Sequence, residues 1–404
     1  MPAVMPRLFI SNFDFEHQLA EPMRSRSHLR IELNRQLAWS WLGVADDNDS
    51  LWMSSSVSEP VFPESRQFGL PDLKFLSQQN APLADHELCP WGWTQEILDW
   101  GRQQGLRCPA PPLEIVRQVN SRLFSIALEN EWGVGLPGAG ALYSLADLPA
   151  AFDRLPAGNS PWVIKSWFGM SGRERIMGRG ANLSEAQTGW LSRRLQRDGG
   201  VVIEPWVESV SEAGLQFDVP QNGTPVLVGI VPLLSTPHGG YEGSLLEPRD
   251  SLRVEWKTAV ETGLQAAARI QALGYFGPLG IDAMFYHAGE TIACRPLQDI
   301  NARWTMGRVA LGCSRLLCPG ELGAWLRLPL TPVRRLELWQ AGDCLTRLQA
   351  DMPDGTRVIP TSPFWRSESD CTHATVLVTG ASAANRETAV TRLRDWIRVA
   401  SSPV

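Results

Sequence analysis

The chain has 404 residues, 44% hydrophobic and 20% charged, with 37 basic and 43 acidic side chains and a net charge of −6. That length supports several apolar cores without disulfides or structural metals, and the mild negative balance argues against a nucleic-acid footprint or a polybasic membrane anchor. Seven cysteines show no C-x-x-C pair or zinc-ligand spacing, and no apolar run approaches the ~20 residues of a membrane span, so a reduced, cytoplasmic protein without leader or span is expected.

Four regions follow in chain order. Residues 1–112 open with a strand-like run at 7–11 and carry several Pro/Gly/Ser stretches, which predicts a small α/β domain with long loops. Over 113–132, apolar residues at 113, 115, 116, 119, 123, 124, 127 and 128 approach helical spacing, with Pro112 suited to the start. A strand over 161–167, a glycine loop at 169–172 and an amphipathic helix over 184–197 complete the region 113–200. Region 201–328 holds strand candidates at 201–207, 225–234, 280–286 and 291–303, around a helix whose Val260, Leu264, Ala267, Ile270 and Leu273 form one stripe. The last region, 329–404, ends in a strand at 374–378 and a helix over 386–399, an appended α+β subdomain. The alternation of short strands and longer periodic stretches places the whole chain among α/β or α+β folds.

Three segments carry chemistry. Lysine is rare, occurring only at Lys74, Lys165 and Lys257. Lys165 shares a strand face with Val163 and Trp167, so its ammonium emerges from an apolar strand beside Gly169, Ser171, Gly172 and Arg173, a combination suited to phosphate. Second, Glu204 ends an apolar strand and is followed by Pro205, Trp206 and Val207, an arrangement able to present backbone groups and a carboxylate to a purine edge; Glu208 and Glu212 are both candidates for ribose hydroxyls. Third, period-two alternation puts Asp299, Asn301 and Arg303 on one face, with Ile300 and Ala302 on the other. With Asp282 on the preceding strand, these oxygens suit Mg²⁺ and the arginine suits charge growing on a phosphoryl group. A tight hairpin through 287–290 would pair Tyr286 with Thr291 and leave Asp282 and Asp299 out of step, whereas a wider turn centred between Glu290 and Thr291, or a bulge at Pro296, would make them neighbours. Val376 to Ser382 lacks a G-x-G-x-x-G pattern, and no histidine offers a triad partner, so a dinucleotide fold there and a serine hydrolase are set aside.

In this order, the helix with Asn120 and Arg122, the Lys165 strand, the glycine loop, the Glu204 hinge, Asp282, and the run Asp299, Asn301, Arg303 resemble the ATP-grasp superfamily over roughly residues 115–310. The resemblance implies an α+β fold with two lobes, 113–200 and 201–328, flanked by a preceding α/β domain at 1–112 and the extension at 329–404. It further implies ATP, two Mg²⁺ ions, and activation of a small-molecule carboxylate as an acyl phosphate for attack by an amine or similar nucleophile. Carried onto this sequence, Lys165 would contact phosphate or adenine, with Arg122 in the place of an upstream lysine. Ser171 and Gly172 would cover the phosphates, Glu204, Trp206, Val207 and Glu212 would line the nucleoside pocket, Asp282, Asp299 and Asn301 would hold the metals, and Arg303 would stabilise the reacting oxygens. Asp299 stands where the family usually has glutamate, one methylene longer. That departure supports a second reading, a catalytically weakened nucleotide-binding protein with a regulatory or assembly role.

Overall fold

A computed structural model describes residues 5–21, 27–53, 62, 64–77, 83–156, 158–169, 174–236, 239–332, 337–338, 343–365 and 372–398. The first region forms a four-stranded parallel sheet of β1 (Arg7–Ile10), β2 (Ser50–Trp52), β3 (Lys74–Leu76) and β4 (Glu87–Pro90), in the order β3-β2-β1-β4. Consecutive Leu8 and Phe9 are both fully buried, as expected of a strand covered on both faces. Leu8 packs with Leu88, Ile97 and Leu106, whereas Phe9 joins Trp41 in the main core.

A second sheet contains β5 (Gly140–Leu142), β6 (Pro161–Ser166), β7 (Arg175–Arg179) and β8 (Val201–Pro205), all antiparallel in the order β5-β8-β6-β7. Its small core collects Trp162, Ile164, Leu191 and Ile203. The covering helix Glu185–Asp198 starts at a capping box between Ser184 and Gln187 and stops at Gly199, whose φ of 81° suits the left-handed end of a helix.

The largest sheet has eight strands: β9 (Ser209–Val219), β10 (Val226–Ser235), β11 (Tyr241–Leu246), β12 (Gly277–Ala288), β13 (Thr291–Asn301), β14 (Leu322–Pro329), β15 (Thr356–Pro360) and β16 (His373–Gly380). Their order is β13-β12-β9-β10-β11-β14-β16-β15. The strands after residue 329 therefore extend the sheet that carries the metal candidates. Helix Lys257–Ala272 buries Ile270 and the small residues Ala259, Gly263, Ala266 and Ala267, which let it lie close to the sheet.

Two expected helices are each interrupted. The 113–132 segment divides into Leu113–Val119 and Arg122–Trp132, because Asn120 turns its amide to Val116 O and Ser121 accepts from Leu123 N as the new cap. The 252–273 segment divides at buried Trp256, between Arg249–Glu255 and Lys257–Ala272. Apolar periodicity survives both breaks, so it gave no sign of them. Strand β9 was not anticipated although Ala213, Leu215, Phe217 and Val219 alternate inward along it.

The β12–β13 hairpin turns through Gly289, at φ 68°, and Glu290, pairing Ala288 with Thr291. This register continues to Met284 opposite Arg295 and then shifts, so that Ala283 faces the three residues 296–298. The irregularity falls at Pro296, which has no N–H for the ladder. Beyond it Asp282 lies opposite Asp299, and Gly280 opposite Asn301.

Candidate active site

A cleft of about 410 Å³ is lined by the second and third sheets and by loop and helix residues that follow β1 and β4, and Arg122, Lys165, Trp206, Glu212, Asp282, Asp299, Asn301 and Arg303 all face it. On its β12–β13 wall, Asn301 donates Nδ2–H to Asp282 Oδ2 at 3.2 Å and accepts from Arg303 Nη2 at 2.8 Å. Arg122 reaches across from its helix to Asp299 Oδ2 at 3.3 Å while donating to Ser166 O at 2.9 Å and Gly169 O at 3.2 Å. A Cβ on Gly169 would lie 3.0 Å from Arg122 Nη1, so a side chain there would crowd the guanidinium. The Asn120 amide grips Ala302 from both sides, accepting from its N–H at 2.9 Å and donating to its carbonyl at 3.3 Å. That reciprocal pair fixes the backbone between Asn301 and Arg303 and gives the Asn120 position a physical purpose.

Burial, reinforced by the neighbouring charge of Asp299, pushes the Asp282 carboxyl up to about 7. Two adjacent carboxylates with an amide oxygen beside them are hard oxygen donors, and a divalent cation between them would relieve the repulsion that raises Asp282. The residues thus fit Mg²⁺ in chemistry, with the Arg303 contact to Asn301 Oδ1 having to yield for that atom to coordinate. Among the described residues there is no group of three His, Cys, Asp or Glu side chains placed to hold a metal, so the set rests on Asn301.

Glu204 has a different environment from the one expected of it. Its Oε1 is engaged by the Lys165 ammonium and its Oε2 by Arg295 Nη2 at 2.9 Å; Arg295 also grips Glu129 through Nε at 2.5 Å and Nη2 at 2.8 Å. Glu129 and Arg295 are almost wholly inaccessible. Burial alone would raise Glu204, but the charges of Arg295 and Lys165 outweigh it and hold the carboxyl down at about 2. Both Glu204 oxygens are thus engaged by cations, and the carboxylate anchors Lys165. Alternation on β6 and β8 explains the pairing: Val163 lies opposite Glu204, which makes Lys165 its diagonal neighbour.

Trp206 and Glu212 face the cleft, with the Arg175 guanidinium 5.0 Å from the Trp206 ring and Ser235 Oγ donating to Glu212 Oε2 at 3.2 Å. Val207 instead packs with Leu136, Met284 and Tyr286 in a small apolar cluster at the base of the hinge. Ser171, Gly172 and Arg173 lie outside the described residues. Sequence reasoning did not identify Glu16, Trp91, Gln216, Gln298 or Arg327, which also line the cleft. For Gln216 a signal existed: it is a polar residue in the alternating run of β9, and it accepts from Thr305 Oγ1 at 2.7 Å. Glu16, in the helix after β1, and Trp91, just after β4, come from the first region, where no local motif marks them.

No protein-family model matches the chain. It is 27% identical over 261 residues to the [Butirosin acyl-carrier protein]--L-glutamate ligase of Niallia circulans, covering 60% of this chain and 57% of that protein. The chain thus spans little more than half the length of that curated relative. Among solved structures, N5-carboxyaminoimidazole synthetase from Staphylococcus aureus complexed with ADP superposes with a TM-score of 0.54 at 9% identity, covering 98% of this chain and 97% of that one. N5-carboxyaminoimidazole ribonucleotide synthetase from Thermus thermophilus gives 0.55 at 14% identity, over 99% and 100% of the two chains. Biotin carboxylase from Campylobacter jejuni, as its β-γ-ATP complex, gives 0.55 at 12% identity, over 93% and 87%.

Proposed function

This chain has the ATP-grasp fold, and from that premise we propose that it is an ATP-dependent carboxylate–amine ligase acting on small-molecule substrates. The observation that carries the proposal is the meeting, in one cleft, of Asp282, Asp299, Asn301 and Arg303 from β12–β13 and its continuation with Lys165 and Arg122 from the 113–200 lobe. These groups supply cations for a phosphate tail and hard oxygen donors for its counterion. The likeness to a curated ligase and to nucleotide-bound structures of this fold supports the same reading.

Lys165, held by Glu204, and Arg122, held by two carbonyls, are pre-oriented cations for phosphate oxygens. Trp206 and Glu212 offer a ring face and a carboxylate for a nucleoside, and Ser171 and Gly172 belong to the segment that would cover the phosphates. Asp282, Asp299 and Asn301 would hold Mg²⁺, which when bound offsets negative charge between the nucleotide and the acids. The substrate carboxylate attacks the γ-phosphorus, the bond to the β-γ bridging oxygen breaks, and ADP leaves with that electron pair. The nucleophile then attacks the carbonyl carbon of the acyl phosphate, expels inorganic phosphate and loses a proton. Arg303 faces the oxygens that gain charge in both steps.

Regions 1–112, 113–200, 201–328 and 329–404 would serve as substrate domain, two nucleotide-binding lobes and sheet extension. A cytoplasmic location accords with unpaired thiols at Cys89, Cys108, Cys294, Cys313 and Cys318, and among the described residues no helix is long and apolar enough to cross a membrane. Nothing in the charge balance favours a nucleic-acid partner. The decisive assay is carboxylate- and amine-dependent release of ADP and phosphate by the purified protein, abolished by Asp299→Ala with the fold intact. An ATP-induced thermal shift without turnover across such a screen would instead establish the nucleotide-binding regulator.

A further inference from the structure

The end of the cleft built by the first sheet has its own chemistry. In the order β3-β2-β1-β4, the neighbours of β1 lie on opposite sides of it, so the chain segments at the carboxyl ends of β1 and β4 diverge. Open α/β sheets take ligands in such a crevice. The segment after β1 supplies Phe13 and Glu16, the segment after β4 supplies Trp91, and all three line the cleft together with Leu33 and Leu37 of helix His28–Leu37.

This crevice is not built as a phosphate cradle. Asn12, itself buried, accepts from Trp91 N at 2.9 Å and donates to Gly92 O at 2.7 Å, which uses the backbone N–H that an anion would need. No glycine turn follows β1. Instead the Phe13 and Trp91 rings pack 4.3 Å apart, and the Arg303 guanidinium lies 5.8 Å from the Trp91 ring centroid. Glu16 forms an ion pair with Arg303, and Arg303 Nε is buried without a hydrogen-bond partner. An apolar wall thus meets one cation and one carboxylate side by side.

We propose that this crevice binds an α-amino acid with an apolar side chain as the carboxylate substrate, an inference that rests on the ligase reading. The substrate carboxylate meets the Arg303 guanidinium, its ammonium meets Glu16, and its side chain lies against Phe13, Trp91, Leu33 and Leu37. A zwitterion inserted between Arg303 and Glu16 keeps both charges compensated. Glu16 and the apolar wall disfavour a second anion at this end of the cleft. Because Arg303 also contacts Asn301, the carboxylate that it holds is adjacent to the edge where phosphoryl transfer is proposed.

The test measures ADP release in the presence of hydroxylamine as general acceptor, with L-leucine, L-phenylalanine, succinate and O-phospho-L-serine compared as carboxylates. L-leucine or L-phenylalanine should be turned over with kcat/KM at least tenfold above the other two. Trp91→Ala and Glu16→Gln should each raise the amino-acid KM tenfold or more while leaving the ATP KM within twofold. Preference for succinate or O-phospho-L-serine, or equal effects of both variants on the two KM values, overturns the inference. If no carboxylate releases ADP, the ligase reading fails, and calorimetric titration of L-leucine into the protein with Mg²⁺ and β,γ-methylene-ATP decides the crevice separately. Saturable binding lost in Trp91→Ala sustains the pocket; absence of binding rejects it.

Discussion

Helix Arg122–Trp132 meets β13 through two ion pairs of opposite character. At one end Arg122 touches Asp299 at the wall of an open cleft, at 3.3 Å and with partners shared among backbone carbonyls. At the other, Glu129, Arg295, Glu204 and Lys165 form a continuous chain of opposite charges, three of them nearly inaccessible. The buried end leaves no charge without a counterpart, and Glu204 is held down at about 2. The open end leaves carboxylates facing one another, and Asp282 is pushed up to about 7 by burial and by Asp299. The same residue types thus stand in different settings: saturated charges fix geometry at one end, and incompletely compensated carboxylates line the cleft at the other, the setting in which perturbed groups often serve function.

The sharpest way to break this comparison is Asn301→Ala at the open end. ATP turnover should fall on the order of 10²–10³-fold, the range for loss of one preorganised polar group at a reacting centre, with thermal unfolding unchanged. A marked loss of stability in that variant would assign Asn301 to the architecture.

At the buried end, Arg295→Ala should act in the opposite sense. It strands Glu129 and Glu204 without their shared cation, and the cost in unfolding free energy should be about 3–5 kcal/mol, read by denaturant titration. Removing both charges of the deep pair with Glu129→Leu and Arg295→Met should recover much of that loss. If the single variant unfolds at the wild-type midpoint, the chain of charges is not structural.

The two ends also separate by pH. Asp282 has a folded value above its unfolded one, so the folded state holds a proton that the unfolded state has lost, and stability falls as pH rises from about 4 through about 7. Glu204 lies below its unfolded value, so its contribution is present above pH ~4.5 and disappears as pH falls toward about 2. Asp282→Asn should abolish the upper slope and spare the lower one in denaturation curves recorded across pH. The smallest effect belongs to Asp299→Glu, which restores the longer carboxylate usual in the superfamily. It should shift the Mg²⁺ concentration required for half-maximal turnover and leave unfolding untouched; unchanged Mg²⁺ dependence would remove Asp299 from the metal set.

What the sequence disclosed follows the range of the interactions. The Asp299 and Asn301 face depends on alternation within β13, with Arg303 two residues past its end, and Pro296 pointed to a register shift, so these were legible in the sequence. The partner of Glu204 was not, because Arg295 and Glu129 lie 91 and 166 residues apart from their respective contacts. Nothing local distinguishes a glutamate that faces a purine from one that grips a buried arginine. Likewise Glu16 and Trp91 acquire meaning only when the first sheet is set against Arg303, and the helix break at Asn120 reflects a bond to Ala302, 182 positions away.

The continuous sheet from β13 to β15 has a consequence for dissection of this protein. Arg327, on β14, lines the cleft, and β14 is paired along its whole length with β16. Cutting the chain near residue 329 would therefore strip a hydrogen-bonded neighbour from a strand that shapes the cleft and create a raw β edge prone to self-association. The C-terminal segment is a structural buttress, and a shortened protein would be a poor surrogate for the intact one.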